Sequence, residues 1–171
     1  MIDAIAKRAS CRAYKPDPVS EEAVTELVHA ALCAPSASNV RPYHVIVVRD
    51  AEKRAAFSKV HQWSGFCSQS PVVLVICGDA EKASHWWIED CCAAIENVLI
   101  QATAMGLGTC WIGIRGNPEW GPEHDREGTV RKICGIPESI RVEGLIAVGY
   151  PATDLRTKGP APLENVHTET W

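Results

Sequence analysis

Residues 106–113 read Gly-Leu-Gly-Thr-Cys-Trp-Ile-Gly, and the fold turns on what these glycines do. A dinucleotide fingerprint, GxGxxG, would need glycine at position 111, where this chain has Trp111. The context is reversed as well. A Rossmann or P-loop glycine turn runs from strand into helix, so that a helix amino terminus faces the phosphate. Here the residues before the glycines, Trp86 to Leu107, place Ile88, Cys91/Cys92, Ile95, Val98/Leu99, Ala102 and Met105 at helical spacing. Those after them, Thr109 to Ile114, predict a strand. The order is helix into strand, so Gly106 and Gly108 are expected to cap the helix. Gly113 falls inside or at the end of a strand, where glycine marks a bulge or a close approach of backbone to a ligand.

Outward from this junction the chain alternates helices and strands. Ile2 to Arg8 predicts a short helix, and Ser20 can cap a longer one over Glu21 to Cys33. The loop APSASNVRPYH (34–44) leads into a strand, Tyr43 to Val48, apolar on both alternations as for a sheet covered on two faces. A helix from Ala51 to Val60 and a buried strand from Val72 to Cys77 follow. Beyond the glycines come a loop from Asn117 to Glu127, a short helix from Thr129 to Cys134 and a fourth strand from Val142 to Gly149. With 171 residues and no repeat or low-complexity linker, one domain over 1–171 is expected.

Composition narrows the function. Hydrophobic residues make up 46% and charged residues 22%, far from the balance of disordered chains. A net charge of −4 supplies no global field toward nucleic acid or an anionic membrane. No apolar run approaches the roughly 20 residues of a membrane span, and MIDAIAKRASCRAY does not read as a secretion signal. A cytoplasmic protein is expected. The eight cysteines form no CxxC pair and no zinc-type spacing, so most are expected as buried, reduced thiols. Cys91 and Cys92 are adjacent on a helix, where neighbouring side chains diverge by about 100°.

Any bound anion must therefore be held by a local cluster of cations. Arg8, Ser10 and Arg12 place two guanidinium groups two residues either side of a hydroxyl, and an extended backbone sends all three to one side. The same residues could instead form a solvated basic face with Lys7 and Lys15. A second pair at spacing two, Arg156 and Lys158, comes from the tail. If the tail folds back, four cations and a serine surround one dianion.

RASCRAY near the start, APSASNVRPYHVIVV after the second helix, a long helix running into GLGTCWIG, then LIAVGYP and a basic tail resemble, in that order, the FMN-dependent nitroreductase family. The resemblance covers essentially the whole chain. It implies an α+β, nitroreductase-like fold, with a central, mainly antiparallel sheet flanked by helices. It also implies a homodimer with FMN at the subunit interface, NADH or NADPH as electron donor, and a small-molecule acceptor such as a nitroaromatic or quinone. By the same resemblance Arg8, Ala9 and Ser10 hold the FMN phosphate, completed by Arg156 and Lys158, and Arg12 lies toward the ribityl chain and pyrimidine edge. Pro35, Ser36 and Asn39 match a loop that the second subunit lays against the flavin. Trp111, Ile112 and Gly113 match the segment whose backbone passes the flavin N5 edge.

The flavin carries the electron transfer, so no protein nucleophile or titrating acid is expected, and an open ring face implies ping-pong kinetics. The chain departs from the family in its loop, which usually reads NxQPW and here reads NVRPY. Arg41 there either favours anionic acceptors or faces solvent. Trp63, Phe66 and Trp120 are candidate pocket walls or core residues, and histidines 61, 85, 124 and 167 are expected on the surface. Two other readings remain open: an FMN-binding sensor or carrier without turnover, and a cysteine-based metal or redox protein.

Overall fold

A computed structural model describes residues 1–115 and 125–171. Most of the expected 117–127 loop, with Trp120 and His124, lies outside the described residues. The helices are α1 (Asp3–Lys7), α2 (Glu21–Leu32), α3 (Ala51–Phe57), α4 (Trp87–Ala104) and α5 (Arg126–Cys134). The strands are β1 (Tyr43–Val48), β2 (Val72–Asp79), β3 (Gly108–Gly113) and β4 (Ile140–Gly149). They form one sheet in the order β1-β2-β4-β3, every neighbour antiparallel. The fold class is α+β, as the resemblance implied.

Local chemistry sets these boundaries. Ser20 Oγ accepts from the Ala23 N–H at 3.1 Å and starts α2, whose buried stripe is Val24, Leu27 and Ala31. Asp50 caps α3 in the same way through the Lys53 N–H. Asp125 accepts from the Gly128 N–H, so α5 begins at Arg126 and takes in two residues expected in the preceding loop. Gly106 closes α4 with φ of 74°, while the Leu107 N–H reaches back to Ala102 O at 2.8 Å.

Gly108 has a different reason from the cap expected of it. It already lies in β3, and an added Cβ would sit 2.7 Å from the Cys11 side chain. The amino-terminal segment runs tightly alongside there: Cys11 N–H donates to Thr109 O at 2.8 Å, and Ser10 and Thr109 form an isolated parallel bridge.

The sheet divides the core into two layers. Val72, Leu74, Ile76, Ile146 and Val148 face α2 and α4. Val73, Val75, Leu145, Ala147, Cys110 and Ile112 face the other way, toward Phe57, Phe66 and Val130. Central strand β2 is buried on both alternations, as its continuous apolar run predicts. Strand β1, at the edge of the sheet, meets both layers as expected, Tyr43 and Val45 on one face and Ile46 and Val48 on the other, but less completely: His44 and Val47 are exposed. Phe66 belongs to the second core layer and Trp63 is exposed, so neither walls the groove described below.

Candidate functional site

The extended segment after α1 alternates as its spacing of two requires. Cys11 is buried, and Arg8, Ser10 and Arg12 turn the other way into one groove. The tail does fold back, so Arg156, Lys158, Gly159 and Pro160 line the same groove, as does Ala9. Its volume is 390 Å³. Lys7 and Lys15, which would share a plain basic face, do not line this groove. Arg12, Arg156 and Lys158 make no ion pair among the described residues, and Arg8 has only a long contact, 3.9 Å from its Nε to Glu96 Oε1.

Arg8 and Ser10 also line a second groove, of 310 Å³, which continues along β3 past Leu99, Thr109, Glu96, Trp111 and Gly113. Strand alternation decides which residues face it. Trp111 and Gly113 do; the Ile112 side chain is buried in the opposite layer, so only its backbone remains for a ligand. At the end of β3, Gly113 pairs with Gly144 of β4. The Trp111 indole fills the space over Gly144, where an added Cβ would lie 2.5 Å from Nε1. Gly113 has nothing within 4 Å of its Cβ position, which leaves bare backbone open to the groove.

Next to Gly144 the register shifts, Ile76 pairing with Gly144 and Cys77 with Val142, so that Glu143 is the extra residue of a β-bulge. Burial pushes the Glu143 carboxyl above its ordinary range, with Arg115 opposing. Arg115 Nε lies 2.9 Å from Glu143 Oε2, yet that oxygen has no aligned hydrogen bond, so the contact is a charge pair. Cys92 donates to Glu143 Oε1 at 3.7 Å, and burial followed by Glu143 pushes its thiol up to about 11.

Burial likewise lifts Cys67 and Cys77 to about 12, and raises Cys11, Cys91, Cys110 and Cys134. Protonated, buried thiols are poor nucleophiles. Cys91 is buried in the core, and the half-buried Cys92 turns instead toward Glu143 at the β4 bulge, the two directions differing as helical geometry requires of neighbours.

Pro35, Ser36 and Asn39 are not brought to the groove within the chain. They sit on the loop between α2 and β1, where Ser36 and Asn39 bond to Arg41. Sequence reasoning missed Glu96, Leu99 and Thr109 as groove residues. The signal available was the α4 face shared by Glu96 and Leu99, next to a strand expected to approach a ligand.

The sequence model of the nitroreductase family matches this chain over residues 5–65 and 58–150. The chain belongs to the nitroreductase family. A relative from Methanothermobacter thermautotrophicus, provisionally named NADH dehydrogenase/NAD(P)H nitroreductase, is 34% identical over 173 residues, covering 100% of this chain and 87% of its own length. The FMN reductase [NAD(P)H] of Bacillus subtilis is 26% identical over 100% of this chain and 74% of its own. Among solved structures, an FMN-dependent nitroreductase from Clostridium difficile superposes with a TM-score of 0.92 at 31% identity, with full coverage of both chains. The nitroreductase fold expected from the motif order is thus the observed one.

Proposed function

We propose that this nitroreductase-family chain is an FMN-dependent oxidoreductase that passes electrons from NADH or NADPH through flavin N5 to nitroaromatic, quinone or similar planar acceptors. The observation that carries this reading is the continuity of the two grooves. Four cations and a hydroxyl converge at one end, and bare backbone at Gly113 lies at the other, with Arg8 and Ser10 shared between them. That donor set fits a phosphate dianion attached to a flat heteroaromatic ring.

Arg8, Ser10, Arg156 and Lys158 would hold the phosphate by charge-assisted hydrogen bonds, and Ala9 would leave room for it. Arg12 would stabilise negative charge on the pyrimidine edge. The Trp111–Gly113 backbone would pass the N5 edge, where a side chain at 113 would block close approach. When bound, the flavin supplies two-electron transfer in and out through N5, which no side chain here can perform. An open ring face shared by donor and acceptor gives ping-pong kinetics.

The site is completed in a homodimer, in which Pro35, Ser36 and Asn39 of one protomer close over the flavin of the other. Exposed apolar residues on α1 (Ile5) and the tail (Leu163, Val166, Trp171) support such an assembly. Among the described residues no helix is long and apolar enough to cross a membrane.

An absorption spectrum of the purified protein, taken without oxygen before and after NADH or NADPH, tests the reading. Flavin bands that bleach on addition are expected. A colourless protein that takes up no added FMN would overturn it.

A further inference from the structure

The segment between α2 and β1 concentrates unusual backbone. Ser38, Asn39 and Arg41, three non-glycine residues within four positions, have φ of 51°, 55° and 50°. Such conformations persist only where the surroundings over-determine them. Here they do. Asp90, buried in the first turn of α4, accepts from the Ala37 N–H at 2.9 Å and pins the loop to the long helix. Ser36 Oγ accepts from the Arg41 N–H at 2.8 Å. The Tyr43 hydroxyl donates to Ala34 O at 2.6 Å and ties the two ends together.

On this fixed frame Arg41 Nε donates to Asn39 Oδ1 at 2.9 Å. A guanidinium has no acceptor, so the carboxamide atom facing it is necessarily oxygen, and the usual ambiguity of amide orientation disappears. Asn39 Nδ2 has no partner among the described residues and sits on an exposed side chain. The loop thus presents the Nδ2 donor in a defined orientation from a rigid support.

We propose that Arg41 is a positioning residue: by holding Asn39 Oδ1 it fixes the carboxamide so that Nδ2 donates to an acceptor atom of the flavin ring bound by the partner subunit. The inference rests on the flavin and dimer reading above. An oxidised flavin offers carbonyl oxygens and ring nitrogens as acceptors, and these gain negative charge on reduction. A fixed donor binds both forms and favours the reduced one, whereas a freely rotating amide would present its oxygen much of the time. Arg41 on this account acts through Asn39 and not as a free charge.

A double-mutant cycle on FMN affinity tests this, by titrating apo-protein with FMN and following flavin fluorescence, with dimer state and thermal midpoint recorded for each variant. R41M and N39A are each expected to weaken FMN binding about 3- to 10-fold and to move the flavin midpoint potential downward. R41M/N39A is expected to be no weaker than N39A alone, because Arg41 has nothing left to position. R41K runs through the same cycle if R41M does not fold. Additive losses, or an R41M affinity equal to wild type while N39A is weakened, would overturn the role of Arg41. Failure of the wild-type protein to bind FMN would overturn the flavin reading beneath it.

Discussion

Two clusters of charge sit at different places on the sheet and are treated in opposite ways. At the α5–β4 contact, Arg141 meets Glu127 with Nε and Nη2 donating to Oε1 and Oε2 at 2.6 and 2.8 Å, and Oε1 also accepts from the Val142 N–H at 3.0 Å. Arg141 and Glu127 there each have their counter-charge in the chain. At the groove, Arg8, Arg12, Arg156 and Lys158 line one open space, and among the described residues their only ion-pair contact is the long one from Arg8 to Glu96. Gathering like charges costs stability, and a chain of net charge −4 has acidic residues enough to neutralise them. A cluster left unpaired under those conditions is what the proposed anion site requires, while a bidentate pair fastens two elements.

The largest effect expected from this contrast is at Arg8, which belongs to both grooves. Arg8→Ala removes a charge-assisted hydrogen bond to phosphate and should cost about 1.5–3 kcal/mol of FMN binding, roughly 10- to 150-fold. The thermal midpoint of the apo-protein should barely move, since no close partner is lost. FMN titration beside calorimetry checks both halves, and unchanged affinity would erase the distinction between the two clusters.

Glu127→Gln should do the reverse. It should lower stability by about 1–2 kcal/mol, a value reduced for the solvent that reaches Arg141, and leave FMN affinity alone. Burial by itself would raise the Glu127 carboxyl, but the bonds from Arg141 and Val142 outweigh it and hold it below the ordinary glutamate value. A depressed folded value means that the stabilisation is present above the unfolded value and fades as pH falls through the folded one. Urea unfolding at neutral and acid pH should therefore show the mutational loss shrinking on acidification. A loss independent of pH would mean that packing, and not the ion pair, fastens α5 to β4.

Much of this contrast was legible in the sequence, but unevenly. The groove cations were legible because strand alternation is local: spacing two at Arg8, Ser10 and Arg12 fixes their common side whatever the tertiary fold. The order helix, glycine, strand was legible for the same reason, since Gly106 reports its own left-handed backbone. Gly108 was misread because its constraint comes from Cys11, almost a hundred positions away in sequence, and no local pattern records such an approach. The edge position of β1 was also hidden: Val45 to Val48 is as apolar as a central strand, and no local pattern records that it has a hydrogen-bonded neighbour on one side only. The loop of Ser36 and Asn39 was placed by family likeness alone, because its partner in the proposed site is another copy of the chain.

The smallest effect, and the sharpest probe of the unpaired cluster, belongs to Glu96. Its carboxylate is half exposed and lies 3.9 Å from Arg8 Nε, too far for a hydrogen bond and near enough for attraction. Among the described residues that line the two grooves it is the one acidic side chain, so under the proposed reading it should compete with the phosphate for Arg8. Glu96→Gln should then tighten FMN binding, by no more than about 1 kcal/mol, the ceiling for an exposed pair, and the gain should shrink as salt screens the competition. Weaker binding in this variant would assign Glu96 the opposite task, that of aiming Arg8 into the groove. The groove would then be held together by its own ion pair, as the α5–β4 contact is, and the two regions would differ only in degree.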